Sequence, residues 1–302
     1  MIVQIEPTSE QVDKWIEKYV SNNDLFFIGE EDLITFGEYL SEVLVIPKDE
    51  FFNHSSYLQI QLANSYEYWQ LSKNVQYIIV AQGEWIESIP SEDKKILLRL
   101  QAYMGRGLIL SLSSFSNPNE IPLDYIVEYN GEHRVILQNE MWSKLSYSNK
   151  VQAIKTYALE WDNWECSDVP SNTPIHLKDY ANSFSTNAGA NCLAATLYAI
   201  SAKPGHNEWI IHEWVHQKTF LLGLHQANYV IANDELQEGD VVTWMNQEKV
   251  IQHAAYHIGN NLFFNKNGQT FFNPWKIIHW DLLNDEWNKY SICVYRKTKR
   301  KD

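Results

Sequence analysis

Cysteine is scarce in this sequence, and what there is lies scattered. Cys166, Cys192 and Cys293 are the only three, an odd number with no CxxC pair. That usage points to a reducing compartment rather than a disulfide framework. No apolar run reaches the ~18 residues that a membrane helix needs, so no membrane partner is expected. The opening MIVQIEPTSEQVDKW carries acids and lacks the basic-then-apolar order of a secretory signal. A cytoplasmic protein is the expectation, with export by another route left open. There is no internal repeat and no Gly/Ser or Pro linker. Positive charge is also short: 24 Lys and Arg stand against 38 Asp and Glu, a net charge of −14. Five of those bases crowd into the final RKTKRKD, a local +4 that leaves −18 on the rest. A body that acidic repels phosphate backbones, which excludes nucleic acid as the main partner. The tail itself reads as a solvated end.

What is present is globular. Hydrophobic residues make up 45% and charged residues 21%, which removes disorder and low complexity from consideration. Aromatics are plentiful, with 12 Trp and 17 Tyr; they read as core and half-buried surface, and in clusters they line sugar or peptide grooves. In the first half, Thr8 with Gln11 resembles a capping box before a helix at Ser9–Val20. Leu25–Ile28, Val43–Ile46, Val75–Ala81 and Gly107–Leu112 read as strands. A helix is expected from Pro90 to about Met104, and another over Ser148–Trp161. Asn130-Gly131 between IVEY and HRVIL carries the type I′ hairpin signature. No cluster of nucleophile, base and acid stands out in residues 1–140.

Composition changes after Trp161. A small-residue loop, Thr186-Asn-Ala-Gly-Ala-Asn191, leads into Cys192-Leu-Ala-Ala-Thr-Leu-Tyr-Ala-Ile, whose residues form helices well. Cys192 is therefore expected in a helix's first turn. There the macrodipole and free N–H groups favour thiolate, and the same groups can bind an oxyanion. A cysteine in a helix is also, more plainly, a small core residue. Downstream, Leu236-Gln-Glu-Gly-Asp240-Val-Val reads as a turn entering a strand. His253-Ala-Ala-Tyr-His257-Ile-Gly259 reads as a second strand, and Leu262-Phe-Phe-Asn265 as a third. In such a meander His253 and Asn265 can face each other.

That order of features resembles the NlpC-type, papain-fold cysteine peptidases, over roughly residues 180–280. The resemblance implies Cys192 as nucleophile, His253 as base and Asn265 as the residue orienting the imidazole, with Gly259 as the hairpin glycine. It also implies short cell-wall-type peptides with D-residues as substrates. The family usually has Asp before its cysteine and Ser-Gly after; here Asn191 precedes and Leu193-Ala194 follow.

His212-Glu213-Trp214-Val215-His216 supplies a rival. On a helix, H-E-x-x-H puts two zinc ligands on one face with the Glu as base. The remaining candidates are weaker. His257 shares a strand face with His253, either lining the cleft or packed. Asn187 and Gln269 are candidate oxyanion or substrate contacts, and Asn191 is either that or a helix cap. Lys266-Asn-Gly-Gln269 reads first as a turn. The expectation is thus an α+β protein: an α+β domain over 1–160, then a papain-like hydrolase domain over 161–302, a helix on an antiparallel sheet. Its chemistry is thiol acyl transfer on a peptide or other amide substrate, with no metal or organic cofactor required. Zinc hydrolysis through His212 and His216, and a non-catalytic binding protein on the same fold, stand as alternatives.

Overall fold

The computed structural model describes residues 1–298. Most of the basic tail lies outside those residues. The fold is mixed α+β, and every sheet among the described residues is antiparallel. The chain opens with strand β1 (Ile2–Gln4) and helix α1 (Ser9–Tyr19). The capping box forms: Thr8 N–H donates to Gln11 Oε1 at 2.8 Å, and Gln11 N–H to Thr8 Oγ1 at 3.2 Å. Two compact units emerge, one of residues 12–157 and one of residues 1–11 with 158–302. The first eleven residues thus belong with the C-terminal part, a grouping that spans about 150 positions of sequence and carries no local signal. No helix of the described residues is long and apolar enough to cross a membrane.

In the unit of residues 12–157, β2 (Asn23–Ile28), β3 (Leu44–Pro47) and β4 (Tyr77–Gln82) form a sheet in the order β2-β4-β3. Phe26, Phe27, Ile78 and Ile79 are fully buried, as apolar runs in a covered strand should be. Helix α2 (Ser91–Tyr103) buries Leu97, Leu98 and Ala102. A second sheet holds β5 (Ile109–Ser111), β6 (Ile126–Tyr129) and β7 (Glu132–Ile136). The β6–β7 turn has positive φ at both Asn130 (52°) and Gly131 (79°), the geometry that Asn-Gly accommodates. Helix α3 (Tyr147–Trp161) follows.

In the other unit, β8 (Glu165–Ser167) pairs with β1, Val3 opposite Cys166. Then come α4 (Cys192–Ala199), α5 (Gln217–Gln226), β9 (Tyr229–Ala232), β10 (Val241–Met245), β11 (Ile251–Gly259), β12 (Leu262–Lys266), β13 (Trp275–His279), α6 (Trp280–Trp287) and β14 (Ser291–Lys297). The strands form one sheet, β13-β12-β11-β10-β14-β9. Its two faces have separate cores. On one, Leu193 and Ala194 of α4 cluster with Val241, Ile251 and Ala254, while Ala195 and Tyr198 cluster with Ile258, Phe264 and Trp275. On the other, Val242, Trp244, Ala255 and Phe263 cluster with Leu283 of α6, and Trp287 packs against them. A register shift between Trp244 and Met245 marks a bulge at Gln252. It lets Ile251 and Ala254 share a face although three positions separate them.

The Leu236–Asp240 turn is held by charge. Asp240 is fully buried; it accepts the Gln237 N–H at 2.8 Å and two bonds from Arg296, at 2.8 and 2.7 Å. The first base of the C-terminal run is therefore a structural clamp, not a solvated charge. The β11–β12 hairpin turns through Asn260 (φ 53°) and Asn261 (φ 57°). Gly259, at φ 96°, forms the adjoining bulge, and a Cβ there would sit 2.9 Å from Glu238 Oε2.

Candidate functional site

Cys192 is the first residue of α4. Asn191 is its N-cap, accepting the Ala194 N–H at 3.0 Å, while its amide donates to Val215 O at 2.8 Å. Both ends of that side chain are used, so Asn191 is a cap and not an oxyanion donor. The backbone N–H groups of Ala254, Leu193 and Cys192 itself lie near enough to the Cys192 sulfur to favour its ionised form. The sulfur thus lies at the peptide that joins His253 to Ala254. The thiol is half-buried, and desolvation outweighs those donors, pushing its pKa up to about 11. The expectation of a thiolate favoured by the helix start is reversed. Three weak donors do not replace the water that an ionised sulfur loses.

His253 and Asn265 do come together. Imidazole Nε2 lies 2.5 Å from Asn265 Oδ1. The ladder has His257 opposite Phe263 and Tyr256 opposite Phe264; continued, it puts Ala255 opposite Asn265. His253 is then the diagonal neighbour of Asn265 on the same face, within reach of a long side chain. The imidazole is stacked on Trp287, with ring centroids 4.3 Å apart and planes within 4°, and it lies 5.6 Å from the Trp244 ring. Burial in that aromatic slot pulls its pKa down to about 4, against the opposing effect of Asn265. At neutral pH both the thiol and the imidazole are uncharged.

The nucleophile and base candidates lie on different faces of the sheet. Trp287 and Trp244 belong to the core beneath α6, whereas Ala254 packs with α4. Cys192 and the His253 ring therefore approach the start of β11 from opposite sides. Strand alternation makes this unavoidable once Ala254 faces the helix. Motif spacing sets the order of residues along the chain but not the face each presents.

Asn265 is also bonded onward. Its Nδ2 donates to Asn267 Oδ1 at 3.0 Å, and Asn267 Nδ2 donates to both Glu286 oxygens, at 2.9 and 3.0 Å. Glu286 lies on α6, next to Trp287. No sequence signal marks Asn267 or Glu286, because the network closes between elements well separated along the chain. Lys266, expected in a turn, is instead the buried end of β12. Its Nζ donates to Asn273 O at 2.6 Å and Thr270 O at 3.2 Å, over the Trp275 ring. Burial lowers its pKa to about 7, while Asp162 and the nearby Cys192 act in the other direction.

The other candidates separate from this group. His257 Nδ1 donates to Gln237 O at 2.7 Å and its ring stacks on Phe263, so it pins the Leu236–Asp240 turn and is not a cleft residue. Gln269 lies beside the cysteine loop: its carbonyl accepts the Gly189 N–H at 2.8 Å. Asn187 is exposed within that loop, its N–H bonded to Ser185 Oγ at 3.1 Å. The H-E-x-x-H segment is not one helix. A short turn of 3-10 helix, Glu208–His212, ends where Glu213 becomes extended (φ −93°, ψ 159°), and His216 is the N-cap of α5. The shared helical face that zinc ligation by His212 and His216 required does not form. Among the described residues, no three His, Cys, Asp or Glu side chains group as metal ligands. Compared with protein-family models and with curated proteins, the chain matches none.

Proposed function

We propose that the unit carrying α4 and the six-stranded sheet is a papain-like thiol acyl-transfer site that cleaves an amide bond and rests in an uncharged state. The observation that carries this reading is the position of the Cys192 sulfur. It sits at a helix start, near the Ala254 N–H and so at the peptide adjoining a His253 already oriented by Asn265. Because the two side chains lie on opposite faces of the sheet, the Cys192 S–H proton reaches His253 Nδ1 through one intervening water as sulfur bonds to the carbonyl carbon. N–H groups at the start of α4 stabilise the oxyanion. The amide C–N bond then breaks, the amine takes the proton from His253, and water hydrolyses the thioester. With the thiol near 11 and the imidazole near 4, proton transfer accompanies attack; no thiolate–imidazolium pair precedes it. A small peptide is the substrate class, and the choice of cell-wall-type peptides with D-residues rests on the NlpC resemblance alone.

A second reading, a non-catalytic binding protein, is favoured by the sealed imidazole and its place on the face opposite α4. One experiment separates the two. The purified protein is incubated with short peptide amides, with and without D-residues, and Cys192 alkylation by iodoacetamide is followed by mass spectrometry. Acyl transfer predicts hydrolysis that vanishes in Cys192→Ala, and a fall of about 10³-fold or more in His253→Ala. Absence of hydrolysis, with alkylation indifferent to His253→Ala, would establish the binding reading instead.

A further inference from the structure

Carboxylates have only acceptors, whereas each primary amide has one accepting and one donating end. That asymmetry gives the chain of bonds behind His253 a direction. Glu286 is exposed on α6, beside a cavity of about 300 Å³ that Asn267 and Lys276 also line. Its two oxygens take the Asn267 amide nitrogen, at 2.9 and 3.0 Å, so the Asn267 oxygen must turn inward. That oxygen, 3.0 Å from Asn265 Nδ2, can only accept, so Asn265 presents its own oxygen to His253. An oxygen 2.5 Å from Nε2 requires the proton on Nε2. Nδ1 is left as the bare, basic nitrogen, and it has no hydrogen-bond partner among the described residues.

We infer that Glu286, acting through Asn267 and Asn265, is a positioning residue that fixes the tautomer of His253 with Nδ1 unprotonated. The inference rests on the reading of His253 as the base. Glu286 touches no reacting atom. Its effect is to prevent the two amides from flipping. Were they to flip, Asn265 would offer N–H to Nε2, and the proton would move to Nδ1, where it would block transfer from the thiol. Trp287, on the same helix, holds the plane of the ring, so α6 controls both the orientation and the tautomer of His253.

The test uses the full chain labelled with ¹⁵N-histidine, in which His253 resonances are assigned by their loss in His253→Gln. At neutral pH the wild type should show one unprotonated ring nitrogen, Nδ1, with coupling that identifies Nε2–H. Glu286→Gln keeps size and surface position but can present either a donor or an acceptor. It should yield a mixture of both tautomers, and Cys192 alkylation should slow about tenfold. Asn267→Ala, which breaks the chain at another link, should do the same. An unchanged tautomer in both variants would overturn the inference, because orientation would then be set by the Trp287 stack alone. The resonance readout needs no turnover. Failure of the acyl-transfer reading would therefore show separately, as absent hydrolysis with the tautomer shift intact.

Discussion

Burial decides ionisation at single residues in both units. Cys192 and His253 are held neutral by it, and Asp24 in β2 shows the same effect more simply. Asp24 is fully buried; Oδ1 accepts the Asn139 N–H at 2.8 Å and Oδ2 has no hydrogen-bond partner among the described residues. Desolvation, offset in part by that N–H and by Arg106, raises its carboxyl from 3.8 to about 7. Between those values the folded chain holds a proton that the unfolded chain has released. Stability should therefore fall as pH rises through that window, by up to about 4 kcal/mol, because each tenfold difference in proton affinity is worth about 1.4 kcal/mol. Asp24→Asn should flatten this dependence. Urea denaturation at pH 5 and pH 8 measures it; equal pH slopes in wild type and variant would show that Asp24 is not the source.

At the scale of elements, the N-terminus of α4 depends on one side chain. Asn191 caps the helix and also bonds Val215 at both its C=O and its N–H, the latter at 3.4 Å. Loss of a cap costs about 1 kcal/mol. Leaving buried backbone groups unpaired adds about 1–3 kcal/mol. Asn191→Ala should thus destabilise the unit by roughly 2–3 kcal/mol. Asn191→Asp, which keeps the cap but loses the bond to Val215 O, should fall between the Ala variant and wild type. Chemical denaturation gives both values. An Ala variant within about 0.5 kcal/mol of wild type, the usual range for neutral surface changes, would refute the assignment.

At the scale of the whole molecule, residues 1–11 are part of the unit that begins again at Ala158. β1 pairs with β8, Asp168 N–H bonds to Met1 O at 3.1 Å, and Gln11 Nε2 donates to Phe184 O at 2.7 Å. A chain starting at Val12 should lose hydrogen-exchange protection at the Asp168 amide and melt at a lower temperature. The β2-β4-β3 sheet should keep its protection. Unchanged exchange at Asp168 would mean that the N-terminal strand is dispensable.

Several features are legible in the sequence because they depend on chain neighbours. The Thr8–Gln11 box, the Asn130-Gly131 hairpin, the cysteine at a helix start and the strand order from Val241 to Lys266 all follow from local backbone preference and apolar spacing. The Lys266 segment and the H-E-x-x-H segment look equally local but are not. Lys266 continues a strand because β13 pairs with it, and the two histidines fall on either side of an extended Glu213. The face each residue presents, and the water it keeps, are set instead by packing. Packing of Ala254 against α4 turns His253 to the opposite face, α6 brings Glu286 to Asn267, and desolvation leaves thiol and imidazole neutral. Each of these arises from groups distant in sequence and adjacent in space, which periodicity along the chain does not encode.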